Sequence, residues 1–143
     1  MKLTKELEKE VMVVYHAYWN GYLNGDVNAF AAFLADDVKV IGSTEGEVFF
    51  NKKDALRFYQ LTAVQVAGKA ELRNRIIKAE PAGDLVLITE QSDFYILMED
   101  NWVFYAKGRL STLLQKKADG WKVIQQHGSM PDIRATEGEQ FAL

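Results

Sequence analysis

Apolar and polar residues in the first third of the chain follow the spacing of amphipathic helices. Between residues 4 and 24 the apolar side chains recur every three or four positions, which predicts one long helix. Gly25 suits the left-handed conformation that ends a helix, and Asp26 suits the N-cap of the next one. We expect this second, shorter helix to continue through Leu34.

The next segment predicts two short strands and a third helix. The adjacent aspartates at 36–37 break the second helix, and residues 38–41 have the β-branched, apolar character of a strand. A glycine-containing turn separates them from a second short strand at 47–50. Asn51 and Asp54 then resemble the capped start of a third helix with an apolar face.

After Gly68 the pattern changes to long strands. Hydrophobic runs joined by turn-forming residues predict four of them, at residues 69–80, 84–98, 102–117 and 120–130. Strands linked by hairpins form an antiparallel meander. Because the helices precede this sheet, the predicted fold class is α+β and not alternating α/β. We expect one domain over residues 1–131, followed by a polar C-terminal tail at 132–143.

Composition and charge narrow the classes of function. Apolar residues make up 48% of the chain and charged residues 26%, which is typical of a globular domain. A net charge of −3 without a Lys/Arg cluster gives no indication of nucleic-acid binding. The chain has no cysteine and two histidines, His16 and His127, so we expect neither a disulfide nor a metal site. No apolar run has the length of a membrane span, and we expect a cytoplasmic protein.

The last predicted strand turns polar before it ends. Strict alternation places Trp121, Val123, Gln125, His127 and Ser129 on one face. If the first two pack in the core, the last three approach the mouth of a pocket along the same face. An exposed strand end would produce the same pattern, and the sequence alone does not separate the two interpretations.

Two segments resemble the SnoaL-like branch of the NTF2-like superfamily. They are NGYLNGDVNAFAAFLADDVKVIG, residues 20–42, and DGWKVIQQHGSMP, residues 119–131. The resemblance implies a cone-like fold, in which three N-terminal helices pack on a curved antiparallel sheet around a pocket. Members include ketosteroid isomerase and polyketide cyclases, but also nuclear transport factor 2, which is not an enzyme. Most members are dimers or larger assemblies, so a homodimer is expected.

The resemblance also suggests where catalytic groups would lie. The oxyanion-donor tyrosine of ketosteroid isomerase falls on Tyr18, whereas the position of its carboxylate base falls on Gly42. Glycine cannot accept a proton, so isomerase chemistry of that kind is not expected. His127 matches a histidine of the SnoaL-like branch and is the candidate acid/base, with Tyr18 as the second catalytic candidate.

Further candidates are assigned by position. Aromatic side chains on the first and third helices could line the pocket, together with polar residues of the last strands: Tyr15, Trp19, Tyr22, Tyr59, Gln125 and Ser129. Arg109 is preferred to Arg73 and Arg75 as an inward guanidinium that would hold a carboxylate. Glu90 and Asp93 interrupt an apolar strand on opposite faces, and either could orient His127.

Three functions remain open at this stage. The first is a small-molecule-binding protein, without cofactor, for an apolar ligand that bears a carbonyl or carboxylate group. The second is a cofactor-independent cyclase, dehydratase or isomerase that uses His127 as acid/base. The third is a dimerisation or assembly domain with a vestigial cavity.

Overall fold

Three helices and six strands form the computed structural model, which describes residues 2–142. The helices are α1 (Lys5–Leu23), α2 (Val27–Ala31) and α3 (Lys52–Val66). The strands are β1 (Leu34–Ile41), β2 (Val48–Phe49), β3 (Ala70–Ala82), β4 (Leu85–Met98), β5 (Asn101–Lys117) and β6 (Gly120–Ser129). This confirms the predicted α+β class. Met1 and Leu143, at the ends of the predicted domain and tail, lie outside the described residues.

Each helix begins at a side chain that caps it. Thr4, Asp26 and Asn51 accept hydrogen bonds from backbone N–H groups three residues later, which satisfies donors that the helix itself leaves free. Gly25, at φ 68°, lies between α1 and α2 in the left-handed conformation that the sequence predicts. None of the described helices is long and apolar enough to cross a membrane.

The strands form one curved, unclosed sheet in the order β2-β1-β6-β5-β4-β3. From β3 to β6 each strand pairs with the next as an antiparallel meander, as predicted. One pairing outside this meander is parallel, since β1 lies parallel to β6. That pairing joins the N-terminal and C-terminal parts of the chain and brings the β1–β2 loop beside the end of β6.

The second helix ends earlier than predicted. It stops at Ala31, and β1 already begins at Leu34, so the aspartates at 36–37 lie within a strand. The backbone N–H of Val123 donates to the carbonyl of Phe33 at 2.7 Å, and Leu34 pairs with Val123. Pairing with a strand almost ninety residues away in sequence therefore overrides the local helical pattern.

Two β-bulges change which side chains face the helices. In β6, Val123 pairs with Leu114 and Gln125 with Leu113, so that Ile124 is an extra residue without a partner in β5. In β3, the pairing with β4 shifts after Arg73, where Asn74 takes a φ of 52°. Because side chains alternate along a strand, each bulge reverses the facing of the residues that follow it.

The core lies between α1 and the inner face of the sheet. Its buried side chains come from every part of the chain, among them Val11, Tyr15, Phe30, Val38, Ile88, Leu114 and Trp121. Gly21 allows α1 and α2 to meet closely, since a Cβ there would lie 2.8 Å from the backbone nitrogen of Phe30. After Ser129 no further helix or strand is present up to residue 142, and Ile133 and Phe141 are exposed.

Candidate functional site

The sheet and the helices enclose a cavity of about 110 Å³. Six aromatic rings contribute to its wall: Tyr18, Trp19, Tyr22, Phe30, Tyr59 and Phe94. The other lining residues are Val40, Ile41, Gly42, Ser43, Glu47, Leu72, Gly108, Leu110, Gln126, Gly128, Ser129 and Met130. A space of this size holds several water molecules or part of a small organic ligand.

Four aromatic residues of the predicted site lie together on the cavity wall. Tyr18, Trp19 and Tyr22 follow one face of α1, and Tyr59 approaches from α3, with its ring 5.9 Å from that of Tyr22 in an edge-to-face contact. Ser129, at the end of β6, also lines the cavity. Helical periodicity predicted a common face for Tyr18, Trp19 and Tyr22 only, because Tyr59 belongs to another helix.

His127 and Gln125 do not point into the cavity. Both are exposed, whereas their neighbour Gln126 is buried. The physical reason is the bulge at Ile124, which reverses the alternation after Val123 and turns residues 125 and 127 outward. The expected orientation was therefore wrong for Gln125 and His127, whereas Ser129 does line the cavity.

Arg109 and Tyr15 also lie outside the cavity wall. Arg109 is exposed and pairs with Gln91 and Ser129 on the neighbouring strands, so that its guanidinium cannot hold a ligand within the cavity. Tyr15 is fully buried, but its hydroxyl donates to Glu90 Oε1 at 2.6 Å. Tyr15 thus belongs to a buried polar cluster and not to the lining.

In that cluster Glu90, and not Asp93, is the acid of β4 that faces inward. Glu90 is 1% exposed and accepts two hydrogen bonds from Arg75, from Nε at 2.6 Å and from Nη2 at 2.9 Å. Asp93 instead pairs with Lys107 and Asn74. Neither acid is hydrogen-bonded to His127 among the described residues. The bulge at Asn74 turns Arg75 inward, so Glu90 has a bidentate partner and a structural role.

Gln126 is a lining residue that the sequence interpretation missed. It is 5% exposed, and its Oε1 accepts a 2.7 Å hydrogen bond from the hydroxyl of Thr112 on β5. Its Nε2 has no hydrogen-bond partner among the described residues. With the Thr112 hydroxyl donating to Oε1, the amide of this cavity-wall residue keeps one buried N–H donor without a partner within residues 2–142. Strict alternation could not have found it, because only the bulge brings residue 126 to the inner face.

Glu47 is the second missed residue, and it lies where the missing carboxylate was sought. A Cβ on Gly42 would collide with the carboxylate of Glu47, which therefore occupies the space beside the glycine. The hydroxyl of Thr44 donates to Glu47 Oε1 at 2.6 Å, and that of Tyr59 to Oε2 at 3.0 Å. The backbone N–H of Gly42 donates to the carbonyl of Glu47 at 2.8 Å and closes the loop that carries this side chain.

The tyrosines around the cavity keep their protons. Burial, followed by the charge of Glu47, raises the pKa of Tyr22 to about 12. The same two causes raise the pKa of Tyr59 further, and burial raises that of Tyr18 well above its ordinary value. All three hydroxyls are therefore neutral at physiological pH, and that of Tyr59 already donates to Glu47.

The described residues contain no group of three histidine, cysteine or acidic side chains that could hold a metal ion. The polar groups of the wall residues are one carboxylate, one amide, three tyrosine hydroxyls, two serine hydroxyls and the indole N–H of Trp19. Such a set can hold a hydrogen-bonding ligand and can accept a proton at Glu47.

A family model described as the SnoaL-like domain matches residues 11–133. The chain belongs to the SnoaL-like family. The match includes α1 from Val11 onward, all six strands and every residue of the cavity wall. A search of curated proteins gave no match for this SnoaL-like protein.

Solved structures share the fold at low sequence identity. An NTF2-like protein of unknown function from Pseudomonas putida KT2440 superposes with a TM-score of 0.76 and 20% identity, over 98% of this chain and 95% of that one. A candidate dehydratase of the NTF2-like family from Streptomyces avermitilis superposes with a TM-score of 0.74 and 17% identity, over 90% of this chain and 99% of that one. An NTF2-like protein with a cystatin-like fold from Novosphingobium aromaticivorans superposes with a TM-score of 0.76 and 11% identity, over 94% of this chain and 85% of that one.

Proposed function

We propose that this SnoaL-like protein binds a compact, mostly apolar small molecule that carries a hydrogen-bond acceptor, such as a carbonyl oxygen. The observation that carries the proposal is Gln126, a residue of the cavity wall whose buried Nε2 has no hydrogen-bond partner among the described residues. A buried donor without a partner destabilises the folded chain by about 1–3 kcal/mol. An acceptor on a bound ligand would remove that penalty, which gives the amide a reason to lie there.

The remaining wall supports the same ligand class. Six aromatic rings offer apolar contact area, and the space between them is small enough to favour a molecule of one ring or a short chain. The ligand carboxylate considered from the sequence is not retained in the proposal. Arg109 faces outward, and a carboxylate in the cavity would lie near the like charge of Glu47.

The test compares ketone binding to matched variants. Acetophenone binding to wild-type protein is measured by ligand-observed NMR and by calorimetry. Gln126→Leu removes the donor and keeps the volume, and we expect about a 3- to 10-fold loss of affinity for one neutral hydrogen bond. Gln125→Leu, one residue away on the exposed face, serves as the control and should change affinity less than twofold. Equal losses in both variants, or no binding by the wild type, would contradict the proposal.

A second candidate function is cofactor-independent proton transfer, with Glu47 instead of His127 as the base. The position of its carboxylate beside Gly42 and its hydrogen bond from Tyr59 favour this candidate. In the reaction that we infer, Glu47 takes a proton from the carbon next to the ligand carbonyl, and the C–H electron pair moves into an enolate. Return of a proton from the carboxyl group to that carbon completes the cycle. The fold neighbour described as a candidate dehydratase from Streptomyces avermitilis is compatible with such chemistry.

Solvent exchange tests the second candidate directly. In heavy water, a base that forms the enolate replaces the methyl protons of acetophenone by deuterium, which NMR follows. We expect Glu47→Gln to reduce the exchange rate at least about a hundredfold. Binding without exchange above the buffer rate would leave the protein a binding module and end the enzyme candidate.

We also propose that the chain forms a homodimer. The far end of the β4–β5 hairpin exposes a cluster of large apolar side chains, namely Met98, Trp102, Val103, Phe104 and Tyr105. Exposed apolar clusters of this kind commonly mark protein interfaces. Sedimentation velocity should give a dimer for the wild type and a monomer for Phe104→Lys. A monomeric wild type at micromolar concentration would contradict the proposal.

A further inference from the structure

The charge of the cavity is set by one side chain. Glu47 is the single aspartate, glutamate, lysine, arginine or histidine among the residues that line it. Its two oxygens accept hydrogen bonds from the neutral hydroxyls of Thr44 and Tyr59. Within residues 2–142 no lysine, arginine or histidine forms an ion pair with Glu47. The protein thus orients this carboxylate precisely but does not neutralise it.

The half-buried carboxylate lies beside Gly42 and Tyr59 on the cavity wall. It lies against the backbone of Gly42, in space that any side chain at residue 42 would fill. Its charge is felt at the neighbouring tyrosines, since Glu47 contributes to the raised pKa of both Tyr22 and Tyr59. A partly buried charge of this kind is stabilised when a counter-charge comes within a few ångströms.

The surrounding rings favour the same partner. Tyr22 and Tyr59 flank the carboxylate side of the cavity, and Tyr18 and Phe30 stack at 4.8 Å on the same wall. Aromatic rings attract cations through the negative potential above their faces, and this attraction grows as water is excluded. An anionic ligand would meet both the rings and Glu47 without a compensating positive group.

We infer that the ligand of this cavity is a small amine, bound as its ammonium ion against the carboxylate of Glu47. The inference rests on the proposed binding function and adds the charge of the ligand to it. The acceptor group of such a ligand faces Gln126, while its ammonium donates to Glu47 and lies among the aromatic rings. An amino ketone or an amino alcohol of one ring or a short chain has both groups.

The experiment uses two probes of the same shape and different charge. Benzylamine is a cation at pH 7, and benzyl alcohol is its neutral counterpart. Acetophenone again reports whether the cavity binds ligands at all. Affinities are measured by calorimetry at 150 mM salt, where attraction between exposed charges is largely screened but a partly buried pair is not.

We expect benzylamine to bind the wild type at least about tenfold more tightly than benzyl alcohol, as a charge-assisted hydrogen bond and cation–π contact require. Glu47→Gln keeps the shape of the side chain and should abolish that preference while acetophenone binding persists. Glu45→Gln, which changes the same charge at an exposed position in the same loop, should retain the preference. Gly42→Ala, which displaces the carboxylate but leaves it in the chain, should act like Glu47→Gln if the latter fails to fold.

The outcomes separate the inference from the proposed function. If acetophenone binds through Gln126 but benzylamine shows no advantage over benzyl alcohol, the amine inference is wrong and the binding function stands. The same holds if the advantage survives both Glu47→Gln and Gly42→Ala, because the cation then binds elsewhere. If none of the three probes binds, the proposed function fails and the inference fails with it.

Discussion

The hydroxyl of Thr112 donates a 2.7 Å hydrogen bond to Oε1 of Gln126, and both side chains are buried. This contact between β5 and β6 satisfies the acceptor end of the amide, whereas its donor end has no partner among the described residues. The position of the amide thus depends on a residue of another strand. It also depends on the bulge at Ile124, without which residue 126 would face outward.

Thr112→Val should both destabilise the protein and weaken ligand binding. The substitution keeps the volume but removes the donor, so Oε1 of Gln126 is left buried and unpaired. We expect the free energy of unfolding to fall by about 1–3 kcal/mol. Urea denaturation measures this change, and acetophenone titration the loss of affinity. Ser111→Ala, on the exposed face beside it, should stay within about 0.5 kcal/mol of the wild type. Equal effects of the two substitutions would contradict the role of the contact.

Gly42→Ala should move the carboxylate of Glu47 at little cost in stability. The new Cβ would collide with a flexible side-chain end and not with backbone, so the carboxylate can turn away. Its hydrogen bond from Tyr59 would then be lost. We expect the free energy of unfolding to change by less than about 1.5 kcal/mol, the value of one such bond. A double-mutant cycle with Glu47→Gln checks the mechanism: the two substitutions should be clearly non-additive. Additive effects would show that residue 42 does not act through Glu47.

Arg75→Met should be strongly destabilising, because it leaves the carboxylate of Glu90 buried without a counter-ion. Loss of one partner from a buried pair typically costs about 3–5 kcal/mol. The matched control is Lys107→Met, which breaks the exposed pair with Asp93 and should cost at most about 1 kcal/mol. Combining Arg75→Met with Glu90→Leu should recover most of the loss. If chemical denaturation shows no recovery in the double variant, the uncompensated charge is not the cause.

Stability should fall as the pH rises above about 10. Burial, with a smaller contribution from Glu47, raises the pKa of Tyr22 from its ordinary value of 10.0 to about 12 in the folded chain. The folded state therefore holds this proton more tightly than the unfolded state does. The resulting stability is complete below the unfolded pKa and is lost as the pH rises through the folded one. Each such tyrosine lowers the free energy of unfolding by up to about 1.4 kcal/mol per pH unit in that window.

The alkaline slope can be assigned by substitution. Urea denaturation at several pH values between 9 and 12 should give a smaller slope for Tyr22→Phe, which removes one titrating hydroxyl. Phe50→Leu, at an exposed aromatic position without a titrating group, should keep the wild-type slope. A Tyr22→Phe variant with an unchanged slope would mean that other groups cause the loss of stability.

His127→Ala should leave ligand binding unchanged, because the imidazole lies on the exposed face of β6. We expect the free energy of unfolding to stay within about 0.5 kcal/mol and the acetophenone affinity within twofold. Gln126→Leu, one residue away on the inner face, is the contrasting variant. A loss of affinity in His127→Ala comparable to that in Gln126→Leu would restore the orientation expected from strict alternation.

Local patterns in the sequence were sufficient to predict most of the helices and strands and one wall of the cavity. The three-and-four spacing on α1 predicted that Tyr18, Trp19 and Tyr22 share a face, and capping residues marked where the helices begin. Turn residues predicted the hairpins between the long strands. These signals are encoded by residues close together in sequence, so they can be interpreted without the tertiary structure.

The polar half of the site depended on contacts between distant residues. The end of α2 and the start of β1 were misplaced because pairing of Leu34 with Val123 decides them. His127 and Gln126 exchanged faces because β6 accommodates one extra residue opposite β5. Strand register is fixed by hydrogen bonds to a neighbouring strand, and the position of this bulge could not be predicted from the local sequence pattern.

By itself, the sequence determined an α+β chain with an aromatic helix and a polar last strand. Only the tertiary structure decided which polar groups face the cavity. A loop of a few residues returns Glu47 to the space that Gly42 leaves free, and a single unpaired residue in β6 turns Gln126 inward. The physical reason is that side-chain facing in a sheet has a period of two. One added residue therefore reverses it, whereas the helical face of α1 needs no partner to define it.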